Sequence, residues 1–190
     1  MNIVLYMDDI NYDYINFLDS KDNMITDGLF TKIIYSDDIF SMNGLHFYFP
    51  INIENINTNY NRTFIRFDVN DELNKKIISL LTSIENKLLE TYNFLKNKNH
   101  KNIFKTQLES GYVKIHINNK QQINNQTCYI VKISGIWESK NDIGITYKII
   151  PIEKIVNING IINAIIKNLL GRYIIDPEIL FIFGNNTLLI

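Results

Sequence analysis

The sequence predicts an α+β domain: a small antiparallel β-barrel with one long helix inserted between strands, followed by a C-terminal helix plus hairpin. Three observations predict this fold. Short aromatic and β-branched runs, separated by turn residues, recur along the chain. One amphipathic stretch of helical period interrupts them. Gly135 lies inside the longest run, where a bulge or sharp bend can help a small barrel to close.

Three strands are predicted in the first half, at residues 29–35 (LFTKIIY), 44–51 (GLHFYFPI) and 63–69 (TFIRFDV). The third alternates, with Ile65, Phe67 and Val69 on one face and Phe64, Arg66 and Asp68 on the other. Turn residues separate the first two strands.

The clearest helix covers residues 71–96. Apolar residues recur there at helical spacing, at Leu73, Ile77, Leu81, Ile84, Leu88 and Leu95. Asn70 or Asp68 can cap it, and Asp71 and Glu72 favour the positive end of its dipole. We expect this stripe to pack on the protein's own sheet.

Three more strands are predicted at residues 112–117 (YVKIHI), 128–137 (CYIVKISGIW) and 144–150 (GITYKII). A second helix, residues 159–170, ends at Gly171. The strand pattern ILFIF, a turn at residues 184–186 and a final TLLI follow. Residues 1–190 are therefore predicted to form a single domain, with residues 151–190 as a helix and apolar hairpin extension of it. The tail is apolar enough to be tucked in or to pair with another subunit as a homo-oligomer.

Composition limits the possible partners and the cellular compartment. The net charge is −1, so an anionic partner would have to meet a local basic patch. The single cysteine, Cys128, excludes an internal disulfide framework and a cysteine-only zinc site. The N-terminus lacks the basic start of a targeting peptide, and no run approaches the roughly 20 apolar residues of a membrane span. We expect an intracellular protein without membrane association, cofactor or metal.

Motifs for catalysis are weak. The chain has no phosphate-cradling glycine loop, nucleophile elbow or paired-histidine zinc helix. His46 and His116 could hold a metal if they met across a barrel, although surface histidines are the simpler interpretation. Carboxylates of the kind that two-metal nucleases use occur at Asp8, Asp9, Asp27, Asp37, Asp38, Asp68 and Asp142. Turns and helix caps also favour Asp at such positions, so we assign no catalytic residue and expect no enzyme.

The side of the strands opposite the apolar sets carries interleaved rings and cations. The residues concerned are Phe30, Lys32, His46, Tyr48, Phe64, Arg66, Tyr112, Lys114, Lys132 and Lys148. Such a face suits single-stranded nucleic acid, because bases stack on exposed rings while Lys and Arg meet phosphates. The same residue types are common on any exposed strand face. Trp137 could also stack bases, or it could belong to the core, since it shares a face with Val131 and Ile133 under simple alternation.

Two blocks resemble a known family. Residues 19–44 (DSKDNMITDGLFTKIIYSDDIFSMNG) with the following LHFYFPI, and residues 132–150 (KISGIWESKNDIGITYKII), resemble the opening and the closing hairpin of single-stranded-DNA-binding proteins of nucleocytoplasmic large DNA viruses, which are of the phage-like OB-fold type. The resemblance covers about a third of the chain. It implies an OB-like barrel, cooperative coating of single strands during viral DNA replication, and a location in the host cytoplasm or a viral factory. Such proteins often end in an acidic tail with a terminal aromatic residue, whereas this chain ends NNTLLI. We therefore do not predict, from the resemblance, that this chain recruits partners through its tail.

The preferred hypothesis is a non-catalytic protein that binds and coats single-stranded DNA without sequence specificity during replication or repair. Its contacts would be Lys32, Tyr48, Phe64, Arg66, Tyr112, Lys114, Lys132, Trp137 and Lys148. One alternative is a virion or replication-complex assembly protein whose ring-and-cation face is covered by protein. The other is a metal-dependent nuclease that uses the aspartate doublets.

Overall fold

The fold was obtained as a computed structural model, which describes residues 4–8, 10–24, 27–38, 40–59, 62–94, 96–117, 127–155 and 180–182. The helices are α1 (Glu72–Asn93) and α2 (Ile103–Glu109). The strands are β1 (Ile15–Phe17), β2 (Lys21–Asp22), β3 (Leu29–Ser36), β4 (Ser41–Asn43), β5 (Leu45–Tyr48), β6 (Ile53–Asn59), β7 (Arg62–Phe67), β8 (Asn99–His100), β9 (Tyr112–Ile115), β10 (Thr127–Glu138), β11 (Asp142–Ile155) and β12 (Leu180–Ile182).

The predicted α+β class is confirmed, but the described strands form an open, mixed sheet where the sequence predicted a small antiparallel β-barrel. The main path of the sheet runs β1-β3-β10-β11-β9-β7-β6, with β2, β4, β5, β8 and β12 paired beside it. The sheet is mixed, because β8 and β9 run parallel to β11 while the other pairs are antiparallel. Closure would require the two ends of the path to pair. Among the described strands β1 and β6 do not pair, so the sheet stays open.

Strands β3 and β5 share one edge of β10. The start of β3 pairs with residues 135–138, and β5 pairs with residues 130–133. Between them the chain leaves this edge as a hairpin of β3 and β4. Gly44 ends the hairpin with a φ of +85°, and a Cβ there would come within 2.6 Å of the Ile133 carbonyl oxygen. This close approach of two backbones explains why glycine occupies the position.

The bulge that Gly135 predicts is confirmed. The register between β10 and β11 shifts between Ile133 and Gly135, so that Ile133 lies opposite Tyr147 and Gly135 lies opposite Thr146. One additional residue on β10 therefore reverses the faces of every residue after it.

Both described helices pack on one side of the sheet, the inner face. Their buried residues share one core with inward side chains of the strands, including Phe47, Ile65, Val113, Ile133 and Ile149. The predicted alternation of β7 is confirmed, since Ile65 and Phe67 are buried and Arg66 is exposed. The inserted helix is therefore a structural element that covers one sheet face.

Helix α1 differs in detail from its prediction. Asp71 is the N-cap and accepts a hydrogen bond from the Asn74 amide at 3.0 Å, so the predicted caps Asn70 and Asp68 are wrong. Leu73 is 39% exposed, whereas the polar Asn74 is fully buried. The Asn74 side chain accepts a hydrogen bond from the backbone N–H of Asn52 at 2.7 Å and donates one to the backbone carbonyl of Asp68 at 2.8 Å. It thereby ties α1 to the segment before β6.

Two buried carboxylates on the inner face accept hydrogen bonds from groups within the chain. Glu138 contacts the ammonium groups of Lys96 and Lys98 at 2.6 and 2.7 Å and accepts from the Tyr92 hydroxyl at 2.8 Å. Burial alone would raise the pKa of Glu138, but these hydrogen bonds outweigh it and lower the pKa to about 2. Glu85 on α1 accepts from the first backbone amides of α2, although burial keeps its pKa raised.

The sequence did not predict the helix α2 or the strands β1, β2, β4, β6 and β8, and β4 occupies residues that were assigned to a turn. The Asn-rich β6 carries a register shift between Ile53 and Asn55 that breaks simple alternation. The predicted second helix, the turn at residues 184–186 and the final TLLI lie outside the described residues. Within ILFIF, β12 pairs antiparallel with the end of β11 in the same chain. Neither of the two described helices has the length and apolarity needed to cross a membrane.

Candidate functional site

Four lysines lie close together on the outer face, the side of the sheet opposite the helices. Lys132 on β10 is directly opposite Lys148 on β11. Ile115 on β9 pairs with Ile149, which places Lys114 beside Lys148. Lys32 on β3 pairs with Gly135 and interacts electrostatically with Lys132. We call Lys114, Lys148, Lys132 and Lys32 the cationic row, since neighbouring strands lie about 4.8 Å apart.

The cationic row is not neutralised within the described part of the chain. None of its four lysines takes part in an ion pair there. Partial burial, reinforced by the charges of Lys148 and Lys32, lowers the pKa of Lys132. Like charges directly opposite each other destabilise a sheet, so the row favours an anion supplied from outside.

Two histidines lie at the margins of the cationic row. His46 is directly opposite Lys132, and burial together with this neighbouring charge lowers the pKa of His46 to about 4. Burial, followed by the charges of Lys114 and Lys148, also lowers the pKa of His116. Among the described residues, the buried Nδ1 atoms of both rings have no hydrogen-bond partner. Both rings are therefore neutral near pH 7 and add no positive charge to the row.

An aromatic pair and an arginine continue the row onto β7. Phe64 is directly opposite Lys114, and Arg66 is directly opposite Tyr112. The rings of Phe64 and Tyr112 are stacked, with centroids 4.7 Å apart and planes 10° apart. Arg66 is exposed, and its Nε lies 3.6 Å from the Glu54 carboxylate. Cation and ring contacts are thus adjacent at this end of the row.

Trp137 lies on the outer face and not in the core, because of the bulge. Trp137 is opposite Gly144, which shares a face with Lys148 by alternation along β11. A Cβ on Gly144 would come within 2.5 Å of the Trp137 indole, which shows that the ring lies against this glycine. Phe30 is directly opposite Trp137 on β3. Simple alternation, which groups Trp137 with Val131 and Ile133, fails at the extra residue.

Tyr48 shares the outer face but not the row. It lies opposite Ile130 and packs with Val4, Ile130, Ile152 and Cys128 in a small apolar cluster. Of the predicted contacts, the structure gathers eight on or beside the cationic row: Lys32, Phe64, Arg66, Tyr112, Lys114, Lys132, Trp137 and Lys148. Tyr48 lies one outward position further along β5 and β10 than the His46–Lys132 pair, and its contacts are with this apolar cluster.

Four of the seven aspartates named for the nuclease alternative have local structural partners, and Asp9 lies outside the described residues. Asp37 accepts from the Phe40 amide at 3.0 Å, and Asp68 accepts from the Asn70 amide at 2.8 Å. Asp8 lies 3.7 Å from the Lys76 ammonium, and Asp142 lies 3.8 Å from the Lys101 ammonium. Over the residues that the structure describes, no three His, Cys, Asp or Glu side chains come together as metal ligands. His46 lies on β5 and His116 directly follows β9, and the strands β10 and β11 lie between them, so the suggested pairing of the two histidines is wrong.

A cleft of about 470 Å³ lies where β7 ends and β9 begins, next to the stacked rings. Its lining consists of Glu54, Asn57, Arg66, Phe67, Asp68, Val69, Ser110, Gly111 and Tyr112. Three of these residues, Glu54, Asn57 and Ser110, were not predicted from the sequence. The first two lie on the unpredicted β6, and their only sequence signal is polarity between the isoleucines of an Asn-rich segment.

Comparisons of the chain with protein-family models, curated proteins and solved structures find no match. The family resemblance of the two sequence blocks therefore stays a prediction.

Proposed function

We propose that the outer face binds single-stranded DNA without sequence specificity, and that the protein coats such strands during DNA replication or repair without catalysing a reaction. The observation that carries the proposal is the cationic row. Its lysines lie on adjacent strands and have no carboxylate partner among the described residues.

Phosphates are suitable partners for such a row. Neutralising them releases counterions and supplies affinity that does not depend on sequence. Trp137 and the Phe64–Tyr112 pair lie towards opposite ends of the row, where unpaired bases can stack on them. Duplex bases are already stacked on each other, so these rings favour single strands over duplex. The net charge of −1 is compatible with this binding mode, because the positive charge is local.

The family resemblance supports the same proposal. We infer that β3, β5, β10 and β11 correspond to the OB-like part of the fold, in an open form. The host cytoplasm or a viral factory as the place of action belongs to the proposal on the same basis. A homo-oligomer formed through the C-terminal apolar segment also belongs to it, on the basis of the apolar pattern of that segment.

The test is fluorescence anisotropy of a labelled poly-dT oligonucleotide titrated with the protein at about 50 and 200 mM salt without magnesium. The expected result is binding that weakens with salt and that unlabelled duplex DNA competes for poorly. Lys87→Gln, on the exposed side of α1, is the matched control for lysine substitutions on the outer face and should leave binding unchanged.

Absence of binding at low salt would refute the proposal and favour the assembly protein, in which another protein covers the outer face. Equal binding of duplex and single strands would contradict the role assigned to the rings. Cleavage of the oligonucleotide after magnesium is added would favour the nuclease.

A further inference from the structure

The cleft at the end of β7 lies where the cationic row meets the stacked rings. Given the proposed function, on which this inference rests, we propose that the cleft is a subsite for one unpaired nucleobase. The base stacks on Tyr112 and its phosphate contacts Arg66. Neighbouring phosphates then follow the cationic row across the strands.

The Tyr112 ring is prepared for stacking. It is 39% exposed, and it lies parallel to Phe64 at 4.7 Å. Phe64 therefore holds the ring in one orientation, and a base on the open side adds a third layer to an existing stack. A ring that is already ordered loses less entropy when a ligand binds.

Arg66 supplies the charge beside this stack. It lies directly opposite Tyr112, on the neighbouring strand. Its contact with Glu54 is long, at 3.6 Å, and both side chains are more than half exposed. Exposed ion pairs of this kind are weak, so a phosphate can displace the carboxylate. Lys114, opposite Phe64, is the next cation along the path.

The lining of the cleft suits the polar edge of a base. The Asn57 amide can donate and accept, and the Glu54 carboxylate accepts. Gly111 has a φ of +67°, and a Cβ there would lie 2.7 Å from the Phe67 carbonyl oxygen. This glycine lets β9 start close to the end of β7, which forms the wall of the cleft. Mixed donors and acceptors accommodate any base, in keeping with binding that ignores sequence.

The experiment uses the shortest dT oligonucleotide that binds with full affinity, so that the strand cannot shift in register. A single abasic site is placed at each position in turn, and affinities are measured by anisotropy. An abasic site at one position should lower the affinity by roughly 5- to 100-fold, clearly more than an abasic site at any other position. Tyr112→Leu should weaken the intact oligonucleotide by a similar factor and abolish that position-specific loss.

Tyr112→Phe retains the ring and should behave like the wild type. Phe94→Leu removes a ring that is 86% exposed at the end of α1, and it should change neither the affinity for the intact oligonucleotide nor the loss at the abasic position. Equal losses at every abasic position, or a position-specific loss that persists in Tyr112→Leu, would overturn the subsite while leaving the proposed function intact. Failure of the wild type to bind any single strand would refute the proposed function itself.

Discussion

The two faces of the sheet differ in whether their charged side chains have partners of opposite charge. On the inner face, the buried Glu138 is matched by Lys96, Lys98 and the Tyr92 hydroxyl. On the outer face, Lys132 and Lys148 face each other, and within the described residues neither has an acidic partner. One fold thus contains a compensated and an uncompensated set of charges.

The difference shows which charges serve stability. Buried charges need partners, because removal from water is costly, and the inner face supplies them within the chain. The outer lysines are better hydrated, so the fold tolerates their repulsion. Charges that a fold tolerates but does not satisfy indicate a surface for an external partner.

Removing the inner carboxylate should have the largest effect. Glu138→Gln leaves two ammonium groups beside a buried neutral amide, and we expect a loss of about 3 kcal/mol in unfolding free energy. Urea denaturation measures it, with Glu90→Gln on the exposed side of α1 as the control. A loss below about 0.5 kcal/mol, the range of ordinary surface substitutions, would show that the inner network does not stabilise the fold.

The same carboxylate predicts a pH dependence. Its pKa is about 2 in the folded protein, compared with an ordinary value of 4.5. Its contribution is therefore complete above about pH 4.5 and is lost as the pH falls towards 2. The unfolding free energy of the wild type should decline more steeply than that of Glu138→Gln across this window. Parallel curves would contradict the assigned network.

An intermediate effect is expected at the glycine beneath Trp137. In Gly144→Ala, the new Cβ would meet the indole at 2.5 Å and force the ring away. We expect a loss of about 2 kcal/mol in unfolding free energy and a change in the emission of the only tryptophan. Unchanged emission would show that the ring does not lie against Gly144. Trp137→Phe provides the baseline without indole emission.

The smallest effect is expected from the acid beside Arg66. Glu54→Gln removes the carboxylate that competes with phosphate, and affinity for dT oligonucleotides should rise about two- to fivefold at low salt. The gain should disappear in an Arg66→Gln background, because the competition requires the guanidinium. A gain of equal size in the Arg66→Gln background would mean that Glu54 affects binding only through long-range repulsion of the phosphates, and not through competition for Arg66.

The sequence predicted the local elements better than their arrangement. Alternation on β7 predicted Arg66 outside and Ile65 inside, and Gly135 predicted the bulge. Whether the sheet closes, and whether β9 pairs parallel to β11, depend on contacts between segments that are distant in sequence. Hydrophobic periodicity and composition do not reveal such contacts. Trp137 could not be placed, because one added residue in the bulge reverses its face. Glu54 was missed because β6 lacks alternation.

The most direct test of the two-face account compares the wild type with the triple variant Lys114→Gln, Lys132→Gln, Lys148→Gln. Affinity for poly-dT is measured as a function of salt, and unfolding free energy is measured by urea. If these lysines bind phosphates, the log–log salt slope should shrink by about 0.7 for each lysine, hence by about 2 in the triple variant. The unfolding free energy should stay equal or rise by up to about 1 kcal/mol, because the repulsion between the lysines is relieved. An unchanged slope, or a loss of several kcal/mol in stability, would contradict the account by placing these lysines in the fold and not in a binding surface.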